Sequence, residues 1–171
     1  MKNKLVKRMA AVTMAAAMVM GMSVSAFADS NVYAKFCKDG TTEVSMTQMA
    51  IDGPATVVEN ANSTVTVTLP VDGFTYTKMG ITATGYLNTL TVGNHDTATA
   101  VYGEDTDGDG YKNGTITFTI DADEYAVDDD ETYIDSVVKA DLTLLSGLFT
   151  KDMTSDVDLY FTSTQPVYNG N

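Results

Sequence analysis

The residues best placed to do chemistry form the run Asp105-Thr106-Asp107-Gly108-Asp109-Gly110-Tyr111-Lys112-Asn113-Gly114. Aspartate at alternate positions supplies hard oxygen donors. Glycine at the sixth position permits a sharp turn, and the seventh residue, Tyr111, offers a backbone carbonyl, which is the spacing of a calcium loop. Asn113 stands at the ninth position. Ile116 stands at the twelfth, where such loops carry a bidentate glutamate, and the run lies between strand patterns rather than helices. It therefore reads either as a weak structural calcium site on Asp105, Asp107, Asp109, Tyr111 and Asn113, or as a hydrophilic hairpin, since Asp-Gly is a strong turn former. Glu104 is a further oxygen donor beside it. A second acidic run, Asp121 to Glu131, reads as a solvated loop able to attract a basic partner or a cation.

Other chemistry is sparse. His95 is the single histidine, in the turn-like Gly93-Asn94-His95-Asp96, and is expected to be solvated. Cys37 is the single cysteine, so no intrachain disulfide forms; it reads as a small buried hydrophobe in a strand. One histidine and one cysteine exclude a multi-histidine zinc site or a cysteine cluster. No nucleophile-elbow motif accompanies His95, and paired carboxylates in so acidic a chain carry no information, so the sequence points to no enzyme.

Several elements must position these residues. Lys2, Lys4, Lys7 and Arg8 precede an apolar stretch from Met9 to Val24, which closes on Ala26-Phe27-Ala28. A basic start, a short apolar core and small residues at the cut describe a cleavable secretory signal over residues 1–28. The stretch is about 16 residues, shorter than the roughly 20 a spanning helix needs. The expected mature chain is secreted, extracellular or associated with the cell wall. It keeps 143 of the 171 residues, a length for one domain, and six basic residues against 23 acidic ones, a net charge of about −17. Such a surface repels nucleic acid and anionic lipid and favours cations and basic partners.

Beyond the signal, strand patterns dominate. Val32–Phe36 alternates and stops at Lys38-Asp39-Gly40. Met46 and Met49, at i and i+3 within Ser45–Ile51, suit a short helical turn. Further strands read as Ala55–Glu59, Ser63–Leu69 with a threonine face, Phe74–Ile81, Tyr86–Val92, Ala98–Tyr102, Thr115–Ile120, Val137–Leu145 and Asp156–Thr162. Eight or nine short strands with regular turns predict an all-β, antiparallel sandwich over residues 29–162, with a loose tail over 163–171.

One ordered set of motifs is specific. Val32-Tyr33-x-x-Phe36-x-Lys38-Asp39-Gly40-Thr41 leads into Glu43-x-Ser45-Met46, then Gly53-Pro54-Ala55-x-Val57 and Ser63-x-Val65-x-Val67-x-Leu69. Val138-Lys139-Ala140-Asp141-Leu142-x-Leu144 and Val157-x-Leu159-x-Phe161 follow near the other end. This order resembles the NEAT (near-iron-transporter) domain, the immunoglobulin-like haem-binding module of Gram-positive surface proteins and secreted haemophores. The resemblance implies an eight-stranded sandwich gripping one haem between the short helical turn and the last hairpin. It implies that Ser45 hydrogen-bonds a propionate, that Met46 lies over the distal face, and that Met49, Phe149, Lys151 and Met153 fall in the haem-facing segments.

The chain departs from that family where iron is bound. The family ligates iron through the first tyrosine of a Tyr-Asp-x-x-Tyr hairpin; here the aligned residues are Lys151-Asp152-Met153-Thr154-Ser155. Relatives of similar fold use paired methionine thioethers. Four methionines follow the signal (Met46, Met49, Met79 and Met153), and three of them fall in the two haem-facing segments. Met153 with Met46 or Met49 is therefore a candidate soft ligand pair, favouring ferrous haem; alternatively these methionines fill the core. Two functions follow: a secreted haem-binding protein for capture or relay to other haem-relay proteins, or a haem-free sandwich acting as a calcium-stiffened adhesion or protein-binding module. A carbohydrate-binding sandwich is disfavoured, because tryptophan is absent and the tyrosines are scattered.

Overall fold

The computed structural model of the protein describes residues 31–78, 80–144 and 149–170; residues 1–30 (with the expected signal segment 1–28), 79, 145–148 and 171 lie outside the described residues. Ten strands and one 3-10 helix appear among them. They are β1 (Tyr33–Lys38), the 3-10 helix (Met46–Ala50), β2 (Thr56–Glu59), β3 (Thr64–Val71), β4 (Phe74–Lys78), β5 (Ile81–Val92), β6 (Ala98–Thr99), β7 (Val101–Tyr102), β8 (Gly114–Asp121), β9 (Ile134–Leu144) and β10 (Phe149–Thr162). One sheet runs β1-β10-β9-β5-β4, with β6 also on β5, and the other runs β2-β3-β8-β7. All the strand ladders are antiparallel. The fold is the expected all-β antiparallel sandwich. No described helix is long and apolar enough to cross a membrane.

Side-chain alternation builds the layers. In β3, Val65, Val67, Leu69 and Val71 are buried, and β8 answers with Ile116, Phe118 and Ile120. From the large sheet Ala34, Phe36, Leu87, Leu90, Val138, Val157, Leu159 and Phe161 close the same core. The opposite face of β3 and β8 is the expected threonine face, with Thr66 and Thr119 hydroxyls 3.1 Å apart and Thr68 and Thr117 2.9 Å apart. Such directly opposed pairs stabilise a ladder locally.

The ten strands depart from the expected eight or nine in three local ways. Phe74–Ile81 is not one strand: Gly80, at φ +78°, turns the chain so that Lys78 pairs with Ile81. Ala98–Tyr102 is not one strand either. Ala98 pairs with β5 and Val101 with β8, so the chain passes from one sheet to the other at Ala100. The last strand, expected over Asp156–Thr162, begins at Phe149. That extension sets up the pocket described below.

The acidic run 121–131, expected as a solvated loop, keeps most of its acids exposed and is also tied to the fold by specific contacts. Tyr125 packs on Phe161 with ring centroids 4.9 Å apart, and Val127 bridges to Phe161. Asp128 Oδ1 accepts from Thr162 Oγ1 (3.0 Å) and Ser163 N (2.9 Å), tying down the start of the C-terminal segment. His95 is also not simply solvated: its Nε2 lies 2.5 Å from Glu124 Oε2, half-buried. Cys37 is a free, fully buried thiol, as expected, and burial pushes its pKa up.

Candidate functional site

The strands of the large sheet are longer than those of the small one: β5, β9 and β10 have 12, 11 and 14 residues, against eight in β3 and β8. At one end the inner face of the large sheet is therefore met by the 3-10 helix rather than by a strand. A pocket lies there, lined by Ser45, Met46, Thr47 and Ala50 on the helix side and by Phe74, Leu87, Val138, Ala140, Leu142, Met153 and Ser155 on the sheet side. Its cavity volume is about 70 Å³, set within about 470 Å³ of free space continuous with solvent.

Three devices hold the helix side in place. Ser45 caps the 3-10 helix by accepting from Thr47 N at 3.3 Å, and its own N–H donates to Phe36 O at 2.7 Å. Gln48, buried, uses its side-chain amide as a strand would use its backbone. Its Oε1 accepts from Phe36 N (3.0 Å) and its Nε2 donates to Ala34 O (3.1 Å). The free edge of β1 is thus satisfied by the helix. Ile51 ends the helix in extended geometry and bridges to Val71.

Strand register sets the sheet side. Met153 pairs with Ala140, and Ala140 also pairs with Leu87; Ser155 pairs with Val138 and Lys151 with Leu142. Successive side chains alternate across a strand, so Lys151, Met153 and Ser155 share the face of the buried Val157, Leu159 and Phe161. Gly85 pairs with Leu142 and Phe74. A Cβ at Gly85 would stand 2.4 Å from Phe74 Cζ and 2.7 Å from Leu142 Cδ2, so the bare glycine lets both side chains form the floor.

Of the residues singled out from the sequence, Ser45, Met46 and Met153 line this pocket. The Ser45 hydroxyl is engaged in the helix cap and is largely buried. Met49 packs against the core cluster and is not among the lining residues. Phe149 and Lys151 are exposed, on the pocket-facing side of β10 but outside its lining. Sequence reading passed over Gly85, Phe74 and Leu87 as site residues. For Val138, Ala140 and Leu142 the signal was available, as the alternating apolar positions of β9.

The Asp105–Asn113 segment is the hairpin loop between β7 and β8, closed by Gly103 N donating to Asn113 O at 2.9 Å. Asp105, Asp107 and Asp109 each bring one carboxylate oxygen within 4.8 Å of the others, and all three are exposed. Those carboxylates already hold the loop's own backbone. Asp105 accepts from Gly108 N (2.7 Å) and Gly110 N (2.9 Å), Asp107 from Asp109 N (3.2 Å), and Asp109 from Tyr111 N (2.8 Å). The hydrogen bond from Asp109 N, then that from the Asn113 side chain, keeps the Asp107 carboxyl below the usual range. Asn113 Oδ1 accepts from Thr106 N at 2.7 Å. Tyr111 turns its ring onto Gly73 and its hydroxyl to Thr75.

No protein-family model matches the chain, and no curated protein matches it. Among solved structures, a point mutant of IsdX2-NEAT5 in complex with haem is similar at 16% identity and a TM-score of 0.48, over 80% of this chain and 95% of that one. A likeness this distant assigns neither a family nor a ligand.

Proposed function

We propose that the protein is a secreted, non-enzymatic haem-binding protein, which captures or relays haem in the slot between the 3-10 helix and the β9–β10 hairpin. The observation that carries this reading is the lining of that slot: Met46 from one wall and Met153 from the other, with Phe74, Leu87, Val138 and Leu142 supplying apolar surface. A porphyrin is a flat apolar plate that needs such walls, with polar groups at its propionate edge. Thr47 and Ser155 supply hydroxyls in the lining. Met46 and Met153 would hold the iron through soft thioethers, and haem bound in this way is a one-electron centre with a raised potential, favouring the ferrous state. Met46, Val138 and Leu142 belong to the motifs that carry the resemblance drawn from sequence, Met153 stands in the hairpin that departs from it, and the basic, apolar, Ala26-Phe27-Ala28 pattern over residues 1–28 supports export.

The pocket of about 70 Å³ is below the ~300–1,000 Å³ of ordinary ligand sites. Haem uptake on this reading therefore requires the 3-10 helix to stand off from the hairpin. The same small volume favours a second reading, a haem-free sandwich serving as a protein-binding or adhesion module. Titration with haemin, followed at the Soret band with and without dithionite, separates the two. Saturation at one equivalent and a sharp ferrous spectrum lost in Met153→Ala and in Met46→Ala support haem capture with thioether ligation. Binding unchanged by either substitution removes the methionines from the site. No saturable binding leaves the haem-free module.

A further inference from the structure

We propose that Asp39, Asp135 and Asp158 form a site for a hard divalent cation of calcium's class, on the outer face of the large sheet. The site does not depend on the haem reading, because it lies on the opposite side of β10 from the pocket. In register, Asp158 of β10 stands between Cys37 of β1 and Asp135 of β9. Its neighbours Val157 and Leu159 point into the core, so Asp158 and Asp135 project outward together. Asp39 arrives from the turn after β1. Gly40, at φ +67°, donates its N–H to Asp158 Oδ2 at 3.0 Å and so folds that turn over the strand. One carboxylate oxygen from each of the three aspartates lies within 4.8 Å of the others.

A cluster of acids alone would say little in a chain this acidic. The independent observation is Asp158 itself. It is 2% exposed, and its Oδ1 is buried with no hydrogen-bond partner. A buried carboxylate oxygen without a partner is costly, and two further carboxylates beside it add repulsion. The lysines of β1 are engaged otherwise: Lys38 Nζ pairs with Glu43 at 2.7 Å, and Lys35 Nζ lies over the Tyr160 ring, 5.4 Å from its centroid. A divalent cation would satisfy the bare oxygen and offset the repulsion. Three carboxylates without nitrogen or thiolate select a hard ion, with water or backbone oxygens completing the shell. The exposed Asp105–Asp109 loop differs on this point, since its carboxylates are already taken by backbone N–H groups. An ion at Asp158 would pin the 39–40 turn to β9 and β10 and brace β1, to which Gln48 ties the 3-10 helix.

The test is a calcium titration of the chelator-stripped protein at pH 7, read by calorimetry and by the melting temperature. One saturable equivalent is expected, half-filled at roughly 10⁻⁴–10⁻³ M, the range of extracellular calcium modules. Asp158→Asn and the surface variant Asp39→Ala each abolish the saturable rise in melting temperature, while Asp105→Asn with Asp107→Asn leaves it. Asp158→Asn is expected to melt no lower than the stripped parent, so loss of the calcium response is not loss of fold. No saturable response in the parent overturns the site. A response that survives Asp39→Ala and Asp158→Asn but vanishes in the Asp105/Asp107 variant overturns it equally.

Discussion

Strand β10 passes through two environments on a single face. Over Val157, Leu159 and Phe161 that face is sealed by the small sheet, and Leu159 is wholly buried. Over Met153 and Ser155 the same face runs into the pocket that the 3-10 helix lines from the other side, and at Lys151 it is exposed. The first half is core and the second is wall. The difference teaches that this pocket is not carved out of the core: it is the uncovered end of the core, left open because one layer is longer than the other. Leu87, Val138 and Leu142 serve core and pocket at once, whereas Met46, Met153 and Ser155 are less buried and less bound by packing.

The comparison is sharpest in paired truncations. Leu159→Ala should cost about 2–5 kcal/mol in denaturant unfolding, the range for a buried leucine, whereas Met153→Ala should cost about 1 kcal/mol or less while abolishing the ferrous haem spectrum. Equal stability losses would break the distinction between core and wall. Gly85→Ala tests the pocket floor. Its Cβ collides with Phe74 and Leu142, so a loss of about 1–3 kcal/mol with weakened haemin uptake is expected. Unchanged uptake would detach the floor from the site. Gln48→Ala tests the helix side. It strands Phe36 N–H and Ala34 C=O at the β1 edge, a cost of about 1–3 kcal/mol, and hydrogen exchange at Phe36 should quicken.

The smallest expected effect lies on the far face. Burial, opposed by the Gly40 hydrogen bond and reinforced by Asp39 and Asp135, raises the Asp158 carboxyl above the ordinary range. A raised folded pKa means that stability is full below the unfolded value, about 4, and is lost as pH rises through the folded value. In chelator, unfolding measured from pH 3 to 7 should show that loss in the parent and a flatter profile in Asp158→Asn. Asp128 runs the other way. Hydrogen bonds from Ser163 and Thr162 lower its carboxyl, so its contribution is present above about 4 and fades as pH falls.

Much of the architecture was legible in the residues. Period-two alternation in β3, with threonine outside and valine and leucine inside, fixes a half-buried strand whatever surrounds it. The Met46-x-x-Met49 spacing suits a short helical turn, whereas the strand pattern over Phe74–Ile81 ran straight through the hairpin at Gly80. Local chemistry decides these because turn and face preferences act within a few residues.

What the chain alone left open was decided by pairing between distant segments. Alternation could not tell that β10 begins at Phe149, and a one-residue slip would have turned Met153 to the far side. Register with Ala140 put it on the inner face. One aspartate looks like another in sequence, yet tertiary structure left Asp105, Asp107 and Asp109 exposed and buried Asp158 between Cys37 and Asp135. A residue's type sets what it can bind. Its burial and neighbours, which only the packed sheets supply, set whether it is left needing to.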